Sequence, residues 1–162
     1  MRRTSLGRAI CPIARSLDEI GDWWTLLIVR DAFHGARRFG EFQRGLGLAK
    51  NVLSARLRKM VADGILEMRP AADHSAHNEY HLTEKGLRLR VILVALRQWG
   101  EDNLFDEGEP MTVMVDKVDG EPIGRLRLTA RDGRVINPLD VEIKKGMRAI
   151  GTKALKRKSV RR

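Results

Sequence analysis

Residues 38–66 decide the fold of this chain and read RFGEFQRGLGLAKNVLSARLRKMVADGIL. Apolar side chains recur there every three or four positions, first at Phe39, Phe42 and Leu46, and then at Leu53, Leu57, Met60 and Val61. This spacing predicts two short helices, the second over residues 49–63, because side chains three and four positions apart share one face of a helix. The glycines of residues 45–48 turn the chain between them, and Gly64 ends the second helix. Two short helices joined by a glycine-containing turn form a helix-turn-helix.

The segment that follows the motif adds a β ribbon. Residues 65–69 and 79–82 are predicted strands, and the polar loop between them, residues 70–78, is too long for a tight hairpin. A helix-turn-helix followed by a two-stranded ribbon is a winged helix. We therefore expect a mainly α protein with a small β wing, in the α+β class.

Three further helices are predicted around the motif. One begins at Pro12 and ends at Gly21. The next follows Asp22 and is so uniformly apolar over residues 23–33 that we expect it to be buried. The last runs from Thr83 to about Asn103 and carries more apolar surface than one side of a small domain can cover. This excess predicts an oligomer interface.

Charge is distributed unevenly along the 162 residues. The formal net charge is +10, divided as +5 over residues 1–104, −4 over residues 105–143 and +9 over residues 144–162. We therefore divide the chain into an N-terminal arm (1–8), a winged-helix domain (9–104), a C-terminal β-rich extension (105–143) and a basic, flexible tail (144–162). A basic body with a cationic tail favours a polyanionic partner.

The extension is predicted to be a β-hairpin or small meander. Leu126 and Leu128 alternate with arginines, which is the pattern of a half-buried strand. The Asp-Gly pairs at 119–120 and 132–133 are hairpin-turn signals.

Composition argues against several classes of protein. The longest uncharged apolar run near the middle, residues 91–96, is six residues, whereas a membrane helix needs about 20. No apolar signal-peptide segment follows the basic N-terminus. We therefore expect a cytoplasmic protein without membrane contact. The single cysteine, Cys11, excludes an intrachain disulfide and an all-thiolate zinc site.

Catalytic and metal-binding motifs are missing from the sequence. It has no glycine-rich phosphate loop, no nucleophile elbow and no metalloprotease spacing, so we expect neither an enzyme nor a cofactor. His74, His77 and His81 lie in a loop and a strand with no cysteine nearby, so we predict no metal site.

The second helix of the motif carries the candidate nucleic-acid contacts. At about 100° per residue, Asn51, Ser54 and Arg58 fall on one side of Leu53, with Lys50 near their edge. In a major groove Asn can pair with adenine, Arg with guanine, and Lys with phosphate or guanine. The alternative is an ordinary solvated helix face. The residues predicted to contact DNA from this helix, from the start of the preceding helix and from the wing are Arg37, Arg38, Lys50, Asn51, Ser54, Arg56, Arg58, Arg69, His74 and His77.

Several blocks, in this order, resemble the HxlR-type winged-helix transcription regulators of bacteria and archaea. They are Cys11-Pro12, residues 21–28 (GDWWTLLI), 38–42 (RFGEF), 52–57 (VLSARL), 63–66 (DGIL), 80–86 (YHLTEKG) and Trp99-Gly100. The resemblance covers roughly residues 8–104. It departs from the family at Ala49, where a Ser or Thr usually caps the helix. The missing cap should cost about 1 kcal/mol of helix stability.

The resemblance implies a homodimer that reads an inverted repeat in double-stranded DNA as a repressor or activator. The first and last helices of the domain would then pack against those of the partner. The interface residues predicted on this basis are Ile13, Leu17, Leu87, Val91, Val94 and Trp99. Several relatives respond to oxidants through a cysteine at the place of Cys11, so an oxidant or a small molecule is a possible effector.

Two other functions stay open. One is RNA or ribosome binding, which is disfavoured because Trp23, Trp24, Phe39 and Phe42 lie on faces predicted to be buried, whereas single-strand RNA readers expose aromatic rings for stacking. The other is a ligand- or redox-sensing interaction module.

Overall fold

The computed structural model describes residues 5–71, 73 and 77–144. The elements are α1 (Pro12–Ile20), α2 (Trp23–Phe33), α3 (Phe39–Leu46), α4 (Lys50–Ala62), β1 (Leu66–Pro70), β2 (Asn78–Leu82), α5 (Glu84–Leu87) and α6 (Leu89–Asn103). Residues 1–4 of the predicted arm, His74, and the predicted tail apart from Lys144 lie outside the described residues.

Local signals set the ends of the helices. Asp22 caps α2 by accepting a hydrogen bond from the backbone N–H of Thr25 at 3.0 Å. Gly47 ends α3 with a φ of +64°, a conformation that glycine adopts without steric cost. Ala49 precedes α4 and provides no side-chain cap, as predicted. Gly64, with a φ of +68°, leads the chain out of α4 into β1.

The core lies where α2, α3 and α4 meet the base of the wing. Its fully buried side chains include Ile28 of α2, Phe42 of α3, Leu53 and Leu57 of α4, and Ile65. Each such side chain stabilises the fold by about 1.5–3 kcal/mol relative to an exposed one. The side chains that the apolar spacing of residues 39–61 places on one face are therefore the ones that pack in the core. Their burial determines which side of α4 faces outward.

The wing is a two-stranded antiparallel sheet. Leu66 pairs with Leu82 and Pro70 with Asn78 in its register. The backbone N–H of Tyr80 donates to the carbonyl of Arg37 at 2.8 Å, which ties the wing to the start of α3. The protein is thus a mainly α winged helix-turn-helix with a small β wing, as the sequence predicts.

Two details of the helices differ from prediction. Trp23 is 72% exposed, so α2 is not buried all round: its first residue lies at the surface while Ile28 and Val29 fill the core. The helix predicted from Thr83 onward is two helices, α5 and α6, separated by Arg88. Thr83 caps the first of them, accepting from the backbone N–H of Gly86 at 3.2 Å.

The chain divides into two compact units after Ile123. Within residues 105–144 the predicted turns are present, since Gly120 and Gly133 have φ values of +79° and +91°. Single bridges, Val115 with Pro122 and Thr129 with Val135, stand in place of continuous strands. Leu126 and Leu128 are exposed and not in a strand, so the strand predicted there is wrong.

One short 3-10 turn spans Pro138–Asp140 in the second unit. Among the described residues, every helix is too short or too polar to cross a bilayer.

Candidate nucleic-acid interface

The outward face of α4 carries a polar strip formed by Lys50, Asn51, Ser54 and Arg58. Lys50, Asn51 and Arg58 are exposed and Ser54 is half-buried. Within the described part of the chain, none of these four side chains makes a hydrogen bond or ion pair, whereas Leu53 and Leu57 on the opposite side are fully buried. Burial of Leu53 and Leu57 thus turns the opposite side of α4 outward, where four polar side chains lie without a hydrogen-bond partner in the described part of the chain.

The flank of α4 away from this strip is occupied by contacts within the protein. Arg56 Nη1 lies 3.1 Å from a carboxylate oxygen of Asp22, and both side chains are half-buried. Lys59 Nζ lies 2.6 Å from a carboxylate oxygen of Asp63. Arg56 was predicted to contact DNA, but its guanidinium fastens α4 to the start of α2. The Arg56 side chain therefore stabilises the position of the helix that carries the polar strip.

The start of α3 is organised by the carboxylate of Glu41. It accepts hydrogen bonds from the backbone N–H groups of Arg37 at 2.7 Å and Arg38 at 2.9 Å, and these two bonds hold the pKa of Glu41 below its ordinary value. The Arg37 guanidinium donates to the carbonyls of Ala32 and Ala36 at 2.6 and 2.8 Å. In the free protein this side chain thus fixes the turn between α2 and α3, and the phosphate contact predicted for Arg37 would have to replace these two bonds.

Arg38 faces a groove between α3 and the wing with a volume of about 660 Å³. Its guanidinium pairs with Asp73 and lies 3.6 Å from Glu79. The hydrogen bond and the charge of Asp73 raise the pKa of Arg38. Arg44, an exposed residue of α3, also lines this groove. Arg44 is not among the DNA contacts predicted from the sequence, although it lies two positions after Phe42, on a side of α3 away from the core.

The wing carries the remaining predicted contacts. Arg69 is exposed and pairs with Glu67 on the same strand. His77 is exposed and lines the groove between α3 and the wing. His81 lies 3.1 Å from a carboxylate oxygen of Glu79 and so faces an acid within its own strand.

Exposed apolar side chains lie on α1, at the end of α5 and on the outer side of α6. Ile13 and Val91 are 66% and 61% exposed, and Leu17, Leu87 and Trp99 are exposed to a similar degree. Val94 is the exception among the predicted interface residues. It is 8% exposed because it lies on the inner side of α6, so it is corrected to a core residue.

Cys11 is exposed at the residue that precedes α1. Its side chain makes no capping hydrogen bond. The thiol therefore lies at the protein surface, close in sequence to the apolar residues of α1.

Comparison with known proteins places this arrangement in a family. The model of the HxlR-like helix-turn-helix matches residues 19–107. Rv3095 of Mycobacterium tuberculosis, named an uncharacterized HTH-type transcriptional regulator, is 43% identical over 100 residues, which are 61% of this chain and 63% of that protein. YybR of Bacillus subtilis, with the same description, is 34% identical over 57% of this chain and 75% of its own. This chain thus spans less than two thirds of the length of the mycobacterial relative.

Solved structures agree with these matches. PA1607, described as a candidate transcription factor, has a TM-score of 0.84 at 49% identity and covers 88% of this chain and 100% of its own. The redox regulator HypR in its oxidized form has a TM-score of 0.52 at 33% identity over 59% of this chain. Since the matched range contains the helix-turn-helix, the wing and the polar strip, this chain belongs to the HxlR-like helix-turn-helix family.

Proposed function

We propose that this protein binds double-stranded DNA sequence-specifically, as a homodimer that reads an inverted-repeat operator with α4. The polar strip of α4 is the observation that carries the proposal. Its amide, hydroxyl and guanidinium groups have no partner within the described residues. Base edges can therefore take their hydrogen bonds without breaking any in the protein. We expect the protein to act in the cytoplasm, where bacterial chromosomes lie.

The contacts divide into two kinds. Asn51, Ser54 and Arg58 discriminate bases, whereas Lys50 and the cations around the groove between α3 and the wing hold phosphates. The cations are Arg38 and Arg44 at the groove and Arg69 on the wing, and His77 adds a ring nitrogen that can hydrogen-bond to a phosphate. Since Arg38 and Arg69 are paired with carboxylates in the free protein, a phosphate must replace those partners. Affinity should depend on salt, because each cation that meets a phosphate releases a counterion from the duplex.

The dimer is proposed from the exposed apolar surface of α1 and α6. Side chains such as Ile13, Val91 and Trp99 are more than half exposed in the single chain, and a second copy would remove them from water. A two-fold dimer presents two copies of α4, so half-sites should be about 34 Å apart, one turn of the duplex. Val91→Asp, which puts a charge in this surface, should give monomers in sedimentation and weaken DNA binding.

Selection of bound sites from random duplex DNA tests the proposal directly. We expect an enriched palindrome. Arg58→Ala should weaken binding to that palindrome by about 1–3 kcal/mol and relax the base preference at one position of each half-site. Lys59→Ala is the matched control, because Lys59 is paired with Asp63 on the other flank of α4. Equal losses for Arg58→Ala on the palindrome and on random duplex would show that Arg58 makes no base contact.

RNA binding is the competing function, and the same strip argues against it. The strip contains no aromatic ring, whereas single-strand RNA readers stack bases on aromatic side chains. The exposure of Trp23 removes part of the sequence-based case against RNA, so a direct comparison is needed. Duplex DNA should bind more tightly than single-stranded RNA of the same sequence, and the reverse order would favour the RNA function.

A response to oxidants is a second proposal, favoured by the exposure of Cys11 and by the similarity to HypR, which is named a redox regulator. Because Cys11 is the single cysteine, oxidation can join two thiols only between chains. Diamide should yield a covalent dimer in non-reducing electrophoresis and alter DNA affinity, and Cys11→Ser should abolish both effects. A wild-type protein whose DNA affinity does not change with diamide would refute the response.

A further inference from the structure

We propose that a groove between α2 and α6 binds an apolar organic anion: a hydrocarbon body that carries one carboxylate or sulfonate group. The interhelical groove, as we call it, is lined by Trp23, Leu26, Leu27, Arg30, His34, Arg90, Leu93, Leu96, Arg97, Thr112 and Met114. This site is separate from the polar strip of α4 and from the groove between α3 and the wing.

The shape of the interhelical groove suits a small molecule. Its volume is about 370 Å³, and small-molecule sites commonly occupy about 300–1,000 Å³. Leucines from both helices and Met114 contribute apolar side chains to its lining. Trp23 also lines the groove, and its ring meets that of Trp24 edge-on with centroids 5.6 Å apart. A hydrocarbon that enters would leave water and contact apolar walls on both helices.

The charge of the lining residues favours an anion. Three arginines line the groove, and no acidic residue does. Arg30 pairs with Asp31 at 2.8 Å, and Arg97 pairs with Glu101 at 2.6 Å.

Arg90 differs from these two arginines. Its guanidinium carbon lies 4.4 Å from the centre of the Phe33 ring, and it has no carboxylate partner among the described residues. One uncompensated guanidinium beside apolar walls is complementary to one anionic group on an apolar body.

The position of the groove connects it to α4, an inference that rests on the proposed function. Trp23 lines the groove, and the adjacent residue Asp22 holds Arg56 of α4. A molecule that shifts the first turn of α2 therefore moves the carboxylate to which α4 is fastened. We infer that the occupant alters DNA affinity, as an effector does.

Binding can be measured on the full-length protein without DNA. The probe is 1-anilinonaphthalene-8-sulfonate, an apolar aromatic anion whose fluorescence rises in an apolar site. We expect octanoate to displace it at about tenfold lower concentration than 1-octanol, which has the same chain length without the charge. Arg90→Gln should weaken the binding of the probe about tenfold and remove the preference for octanoate.

Two control variants separate the groove from other apolar surfaces. Arg88→Gln removes an arginine that pairs with Glu84 and does not line the groove, and it should leave binding unchanged. Met114→Glu should weaken binding by placing a carboxylate on the groove wall, whereas Met111→Glu, at an exposed residue outside the groove, should not. Equal probe affinity in Arg90→Gln and Arg88→Gln, with Met114→Glu also unaffected, would overturn the site.

The effect on DNA is a second measurement with its own outcome. Saturating octanoate should change the affinity for the selected palindrome by about fivefold or more, and Arg90→Gln should abolish the change. An unchanged affinity in the wild type would overturn the coupling to α4. Failure to bind any duplex would refute the proposed function, and the probe titration would still decide whether the groove binds an anion.

Discussion

The ion pair between Asp22 and Arg56 should hold α4 in place. Its removal should lower the free energy of unfolding and have little effect on the contacts with DNA. Asp22 accepts hydrogen bonds from the backbone N–H of Thr25 at 3.0 Å and from its hydroxyl at 2.6 Å, and it pairs with Arg56 at 3.1 Å. The side chains of Asp22 and Arg56 are 18% and 31% exposed, so water screens the pair only in part.

The magnitudes follow from what each substitution removes. Arg56→Ala removes the ion pair, which contributes about 0.2–1 kcal/mol. Asp22→Ala also removes a helix cap worth about 1 kcal/mol. In addition it leaves the hydroxyl of Thr25, which is 1% exposed, without its acceptor, at a cost of about 1–3 kcal/mol. We therefore expect Asp22→Ala to lower the free energy of unfolding by about 2–5 kcal/mol, several times the effect of Arg56→Ala.

Denaturant unfolding at fixed protein concentration, on the two single variants and the double variant, measures the coupling. Once Asp22 is replaced, Arg56→Ala should cost almost nothing further. The dependence of DNA affinity on salt gives an independent result, because each phosphate contact contributes about 0.9 to the slope of log affinity against log salt. Arg56→Ala should leave that slope unchanged. Additive stability losses, or a reduced slope, would refute the role of Arg56 as an anchor.

Three further changes test other parts of the fold. Ala49→Ser supplies the side-chain cap that α4 lacks and should stabilise the protein by about 0.5–1 kcal/mol, seen as a higher midpoint in thermal unfolding. Gly86→Ala should destabilise it by about 1–3 kcal/mol, because a Cβ there would overlap the carbonyl oxygen of Ile65, whereas Gly100→Ala, with open space around it, should be neutral or stabilising. Glu41 has a lowered pKa, so its contribution is present above its unfolded pKa of about 4.3 and is lost as the pH falls through the folded value. Glu41→Gln should therefore flatten the acid side of the stability profile, and an unchanged profile would contradict this assignment.

Local sequence signals predicted the elements around the polar strip because those signals act over a few residues. Glycine at 47 and 64 and the apolar spacing of Leu53, Leu57 and Met60 were enough to define α4 and its outward face. These features depend on backbone geometry and on burial of one helix face. Both can be derived without knowing what packs against the helix.

The errors arose where a side chain meets a partner distant in sequence. Arg56 and Asp22 are 34 positions apart, and nothing in the local pattern around Arg56 distinguishes it from Arg58. Val94 lies in a run of apolar residues, so the sequence could not separate the inner from the outer side of α6. Hydrophobicity alone predicts Trp23 in the interior, whereas in the structure it is exposed at the first residue of α2, directly after the Asp22 cap.

The two flanks of α4 show how one basic helix can serve both stability and the DNA binding that we propose. About 100° separates successive residues around the axis, so Arg56 and Lys59 fall on one side of Leu53 while Ser54 and Arg58 fall on the other. Carboxylates neutralise the first flank, at Asp22 and Asp63. In the described part of the chain no carboxylate pairs with the second flank. Its cations are therefore free to attract a polyanion. A carboxylate introduced at Ser54 would place an acid beside Arg58 and cancel that attraction while leaving the core side of the helix untouched. Carboxylates pair with the flank that packs within the protein and are missing from the described surroundings of the other flank. This distribution leaves the second flank able to attract phosphates and to contact bases.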